Sequence, residues 1–221
     1  MKLLLTSGGI TNKTLAQALL DLMGKPANRI NIAFIPTAAN ANRDHKGYFI
    51  DNLYQLKQQN YKMIDLVDIS ALPKWNWQER LEMADVWVVS GGDSNHLMRW
   101  VEESGLKELL PEFLKTKVWV GISAGSIITA PTLALGDRVK TVSYKERFGY
   151  EAKEGLNLVN FYIRPHLNSS ASPHSTKENL EEIAKKIPET IYALDDQMAI
   201  KVVDGKEEVI GEGEYVVFSK S

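Results

Sequence analysis

The chain has no cysteine in its 221 residues. Disulfide staples, thiolate metal sites and a cysteine nucleophile are excluded at once, and sulfur chemistry leaves the redox compartment open. Long apolar runs are missing too. The opening MKLLLTSGG holds three consecutive leucines before turn residues, and no later stretch approaches the roughly 18 residues of a membrane span. A cytoplasmic protein with no membrane partner is expected. Charge of one sign is lacking: 26 basic residues against 28 acidic ones leave a net charge of −2 with no basic run, so nucleic acid is not an expected partner. Neither Gly-x-Gly-x-x-Gly nor Gly-x-x-x-x-Gly-Lys-Ser/Thr occurs, which removes the usual phosphate-cradling loops. His-Glu-x-x-His is absent and there are only four histidines, so neither a metal centre nor a cofactor is expected. The sequons at Asn12 and Asn168 read as chance matches without a secretion signal.

With 44% hydrophobic and 24% charged residues the chain can bury a real core. No repeat, low-complexity segment or boundary interrupts it, so one domain over residues 1–221 is expected. Continuous apolar runs at Lys2–Thr6, Ile30–Ile35, Lys62–Val67, Asp85–Ser90 and Val118–Val120 alternate with stretches of helical spacing. These stretches follow Thr11 or Asn12 and run from about His45 to Gln59, Trp75 to Met83, Gly91 to Val101 and Leu106 to Leu114. Strands apolar throughout and separated by amphipathic helices predict an α/β fold, a doubly wound, mostly parallel sheet with helices on both faces. After Pro131 the pattern changes. Extended segments are expected at Asp137–Tyr144 and Leu156–Ile163. A helix capped at Ser175-Thr176-Lys177-Glu178 should run to about Lys186, followed by a short strand at Thr190–Leu194. Met198–Val203 and Val209–Phe218 suggest a C-terminal antiparallel hairpin.

The stretch KVWVGISAGSII, Lys117–Ile128, carries the chemistry. An apolar strand runs into Gly121-Ile122-Ser123-Ala124-Gly125 and then into an apolar helix start. Gly-x-Ser-x-Gly at a strand-to-helix turn is the pattern of a nucleophile elbow, where small neighbours let the serine backbone strain and its hydroxyl stand clear of the sheet. A hydroxyl needs a base, and histidine suits that work near neutral pH. Sites in such sheets gather at the carboxyl ends of strands. Reading those ends gives Ser7-Gly8-Gly9, Pro36-Thr37, Gly91-Gly92-Asp93, Ser123-Ala124, Arg164-Pro165-His166 and Asp195-Asp196. His166 is preferred as base over His174 in its Ser/Pro-rich loop, and over His45 and His96, which read as surface or packing residues. Asp196 is preferred as the orienting acid, with Asp195 adjacent. Asp137, in a Gly-Asp-Arg turn, is the alternative, because such triads occur in several chain orders. Two convergent N–H groups, from Ala124 and Gly92, are the expected oxyanion donors.

Together these residues resemble the dipeptidase E and cyanophycinase family of serine peptidases. The likeness covers about residues 1–203 through the first strand and its Ser-Gly-Gly turn, VVSGGDSNHL, GISAGSI, LVNFYIRPHLN and ALDDQMAI. It implies a doubly wound fold related to class I glutamine amidotransferases, with Ser123 as nucleophile, His166 as base, and Gly92 with Ala124 as oxyanion donors. The family's late-strand acid is usually glutamate. Asp196 stands at the matching position, and its shorter arm keeps Asp137 as an alternative. Dipeptidase E binds an N-terminal aspartate through an arginine in a Thr-Arg-Glu stretch. The matching Thr176-Lys177-Glu178 makes Lys177 the substrate-binding candidate, with the charge kept and the bidentate fork lost. His166 is followed by Leu-Asn-Ser-Ser-Ala-Ser, without the arginine cluster that cyanophycinases have there. The resemblance therefore implies a cofactor-free serine dipeptidase for short peptides with acidic N-terminal residues, acting as a monomer or homodimer. An esterase using Asp137 and a non-catalytic binding module on the same fold are the alternatives.

Overall fold

A computed structural model describes residues 1–133, 135, 144–170 and 172–219. The first half alternates strand and helix: β1 (Lys2–Thr6), α1 (Lys13–Met23), β2 (Asn31–Ile35), α2 (Gly47–Gln58), β3 (Met63–Leu66), α3 (Lys74–Met83), β4 (Val86–Val89), α4 (Ser94–Glu103), α5 (Leu106–Phe113), β5 (Val118–Ile122) and α6 (Ala124–Ile127). The second half holds α7 (Tyr144–Phe148), β6 (Tyr162–Arg164), α8 (Lys177–Ala184), β7 (Ile191–Leu194), β8 (Met198–Val203), β9 (Lys206–Gly211) and β10 (Tyr215–Phe218).

Local chemistry sets the ends of these helices. Asn12, of the two residues expected to cap α1, accepts a hydrogen bond from the Leu15 N–H, and Gly24 closes the helix in the left-handed conformation. Asp93 caps α4 by accepting from the Asn95 and His96 N–H groups.

The main sheet has the order β3-β2-β4-β5-β1-β8-β9. The strands from β3 to β1 are parallel, and β8 and β9 close the edge as an antiparallel hairpin. Successive side chains of a strand point to opposite faces, and the core divides accordingly. Leu3, Leu5, Trp87, Val89 and Trp119 pack with Trp77, Leu97, Met98 and Leu110 of α3, α4 and α5. Leu4, Phe34, Val86, Val88 and Val120 pack with Leu15, Leu19 and Leu56 of α1 and α2. Helices thus cover both faces of a mostly parallel sheet, the doubly wound α/β architecture that the apolar runs predict.

Three late elements differ from expectation. Only Tyr162–Arg164 of the 156–163 stretch is strand; before it the Leu156 and Leu158 N–H groups turn to the Ile128 and Thr129 carbonyls instead of a neighbouring strand. The 209–218 run is not one strand. It breaks after Gly211, and β10 leaves the main sheet to pair antiparallel with β7, which pairs parallel with β6 in a separate three-stranded sheet. The α8 cap is Thr176, whose Oγ1 accepts from the Asn179 N–H, because Ser175 is fully buried and takes the Arg164 Nε–H at 2.8 Å. The extended segment expected at Asp137–Tyr144 lies outside the described residues except for Tyr144, which opens α7. Among the described residues no helix is long and apolar enough to cross a membrane.

Candidate active site

The elbow forms at the centre of the sheet, where β5 lies between β4 and β1. Close approach explains its glycines: a Cβ on Gly121 would stand 2.6 Å from the Gly125 backbone, and one on Gly125 would stand 2.2 Å from the Val89 carbonyl oxygen of β4. With no side chain at either position the chain reverses within the layer, and Ser123 takes φ 47°, ψ −102°, a region that costs a non-glycine residue energy and persists only when its surroundings over-determine it. Those surroundings are on β1. The Ser123 N–H donates to the Thr6 carbonyl at 3.1 Å, Ser126 Oγ donates to the same carbonyl at 2.8 Å, and Thr6 Oγ1 donates to the Gly121 carbonyl at 2.8 Å.

His166 follows β6 by two residues and also holds a positive φ, 62°. Its Nε2 lies 2.9 Å from Ser123 Oγ, and its Nδ1 lies 2.6 Å from Asp196 Oδ1. An ionised carboxylate can only accept, so Nδ1 carries the proton and Nε2 is left to accept from the serine hydroxyl. Asp196 sits in the turn between β7 and β8. The imidazole beside it holds the Asp196 carboxyl below the usual carboxylate range against partial burial, with a smaller contribution from the Ser7 hydroxyl. The structure thus brings Ser123, His166 and Asp196 into one hydrogen-bonded series.

Gly91 and Gly92 line the cavity beside Ser123. Gly92 has φ 140°, and a Cβ there would lie 2.2 Å from the Ala38 carbonyl oxygen, so only glycine fits. Ala124 follows the serine as the first residue of α6. Among the described residues neither the Ala124 N–H nor the Gly92 N–H has a hydrogen-bond acceptor, which leaves both donors available to a bound group.

Other candidates fall elsewhere. Lys177 is exposed at the start of α8 and does not line the cavity. His45 and His174 are exposed. Half-buried His96 packs on Trp100 and Tyr144, with its Nδ1 2.8 Å from the Tyr144 hydroxyl. Asp195 accepts from the Gln197 and Glu214 N–H groups and so fastens β10. Asp137 lies outside the described residues. One residue with a place in the site carries no signal beyond its strand-end position: Ser7, whose Oγ lies 2.9 Å from Asp196 Oδ1. Among the described residues no cluster of three or more histidines and acids could hold a metal ion.

The cavity in front of Ser123 measures about 480 Å³, room for a short peptide rather than a folded chain. Its lining includes Asn42, Asp44, Tyr48, Asp51, Asn52 and Gln55, from α2 and the loop before it.

A serine, an imidazole and a carboxylate in this series, at the carboxyl edge of a doubly wound sheet, fit the serine hydrolases. The chain belongs to peptidase family S51, whose family model matches residues 3–210, and it is accordingly a peptidase of the serine class. Over 185 residues it is 26% identical to an uncharacterized peptidase of Pasteurella multocida (strain Pm70), covering 83% of this chain and 86% of that one. Over 209 residues it is 25% identical to peptidase E of Nostoc sp. (strain PCC 7120), covering 91% and 80% of the two chains. The crystal structure of a peptidase E candidate from Listeria monocytogenes EGD-e superposes with a TM-score of 0.80 at 23% identity, over 96% of this chain and 98% of that one. A peptidase from an acI-B1 Actinobacterium does so with a TM-score of 0.68 at 16% identity. These two likenesses speak to the fold.

Proposed function

We propose that the protein hydrolyses short peptides through a covalent acyl-enzyme, with Ser123 as nucleophile, His166 as general base and acid, and Asp196 as the acid that orients the imidazole. The observation that carries this reading is the unbroken series Ser123 Oγ, His166 Nε2, His166 Nδ1, Asp196 Oδ1, with separations of 2.9 and 2.6 Å, opening on the cavity. Ser123 Oγ attacks the scissile carbonyl as Nε2 takes its proton. The oxyanion forms against the Ala124 and Gly92 N–H groups. The imidazolium then gives its proton to the departing amine, leaving an ester on Ser123. Water, deprotonated by Nε2, attacks that ester and returns the serine.

The N-terminal aspartyl preference that the resemblance implies has less support. It calls for a cation at the substrate's carboxylate, and Lys177, the candidate for that role, does not line the cavity. The protein acts, on this reading, in the cytoplasm as a monomer or homodimer. A dipeptide panel with varied N-terminal residue, run on wild type, Ser123→Ala and Lys177→Ala, tests the whole reading. Hydrolysis that vanishes in Ser123→Ala supports the nucleophile. Acidic-over-neutral selectivity that survives Lys177→Ala removes lysine from recognition.

A further inference from the structure

Ser7 directly follows β1 and is fully buried. Its Oγ accepts the His166 backbone N–H at 2.8 Å and lies 2.9 Å from Asp196 Oδ1. A peptide N–H can only donate and a carboxylate can only accept, so both partners fix the direction of the hydroxyl: Ser7 receives from His166 and donates to Asp196. The same Oδ1 takes the His166 Nδ1 proton. A closed ring results, running from the His166 backbone through Ser7 and Asp196 to the His166 side chain.

We infer that Ser7 is a positioning residue of the reaction, which locks the base and the acid together through one hydroxyl. The His166 backbone needs holding, since a φ of 62° is one that non-glycine residues rarely adopt. It is fastened by the Ser7 bond on one side and by the Leu167 N–H to the Leu194 carbonyl, at 2.9 Å, on the other. The Asp196 turn is docked on the same segment of chain: Thr11 Oγ1 donates to the Asp196 carbonyl at 2.8 Å, and a Cβ on Gly8 would stand 2.7 Å from that carbonyl oxygen. Rotating the imidazole away from Ser123 breaks its Nδ1 bond to Asp196, and shifting it together with its backbone breaks the Ser7 bond as well. Without the Ser7 hydroxyl the ring opens, the imidazole gains freedom, and the carboxylate loses a donor that favours its ionised form.

This inference rests on the Ser123–His166–Asp196 reading, and the test separates the two. Ser7→Ala is compared with wild type in dipeptide hydrolysis, with both rates expressed per fluorophosphonate-titrated site so that unfolded protein does not count, and Ser123→Ala is measured alongside per mole of folded protein. In Ser7→Ala, kcat should fall about ten-fold or more, as loosened geometry at a catalytic centre costs, while KM stays nearly constant. The acid limb of the pH–kcat/KM profile should move to higher pH, because the Asp196–His166 pair, short of one donor to its carboxylate, holds its proton more tightly. Should Ser7→Ala fail to fold, Ser7→Cys keeps the shape, weakens both bonds and is read in the same way. An unchanged kcat per site overturns the inference, and so does a fall in kcat with the acid limb in place, since that is what mere packing gives. Hydrolysis that survives Ser123→Ala overturns the triad reading itself.

Discussion

Ser123 and His166 meet at 2.9 Å, Oγ to Nε2, and both carry positive φ angles, 47° and 62°. The two strained backbones belong to different sheets: Ser123 follows β5 of the main sheet, and His166 follows β6 of the small one. Their encounter is therefore a tertiary event, and Asp196, in the turn joining β7 of the small sheet to β8 of the main one, spans the same junction.

Asp196→Asn should leave the fold intact and lower kcat by roughly 10³- to 10⁴-fold, because an amide stabilises neither the Nδ1–H tautomer nor the imidazolium. Steady-state dipeptide hydrolysis with circular dichroism of the same sample checks it. A loss below ten-fold would move the acid role elsewhere, with Asp137→Asn the next variant to measure.

Gly125→Ala should abolish the elbow. The added methyl would overlap the Val89 carbonyl oxygen, so β4 and α6 must separate and Ser123 must shift. We expect activity to drop at least about 100-fold, as displacement of about 1 Å at a reacting centre does, together with a lower melting temperature. Wild-type rates would show that the layer has slack there.

Tyr61→Phe should raise stability. Among the described residues the Tyr61 hydroxyl is buried without a hydrogen-bond partner, and burial pushes its pKa up to about 12. Removing an unsatisfied buried polar atom relieves on the order of 1 kcal/mol, readable as a rightward shift of the urea midpoint with unchanged slope. A leftward shift would mean the hydroxyl is satisfied in solution.

Acid should destabilise the protein in two steps. Burial holds half-buried His96 below its ordinary value of 6.5, so the unfolded chain binds that proton first, and stability declines as pH falls below about 6.5. Asp196 is depressed below 3.8 in the folded state. Its contribution is fully present above that value and is lost as pH falls through the folded pKa. Thermal melts of wild type and His96→Gln between pH 7.5 and 5.5 should show a smaller decline in the variant, and equal declines would reject the first step.

The central strands β2, β4, β5 and β1 are legible because each carries a buried apolar run, such as VWVV at Val86–Val89, which a sheet covered on both faces accommodates. Ser123, His166 and Asp196 are legible as candidates because strand ends in such a sheet converge. Ser7 is not: a serine in a Ser-Gly-Gly turn looks like turn chemistry, and its partners lie 159 and 189 residues away. The departure of β10 is equally hidden. Its alternation suits either sheet, and the choice is made by Gly211, with φ 140°, and by the Asp195 carboxylate taking the Glu214 N–H at 2.6 Å. Lys177 is the opposite case, a motif match in sequence at an exposed position that does not line the cavity.

The central claim is that Ser123 is the nucleophile activated by His166, and active-site labelling addresses it directly. A fluorophosphonate probe, followed by peptide mapping, should modify one residue per chain, Ser123, with labelling lost in Ser123→Ala and slowed at least about 100-fold in His166→Ala. Labelling at another serine, or labelling of Ser123 at the same rate without His166, would contradict the account.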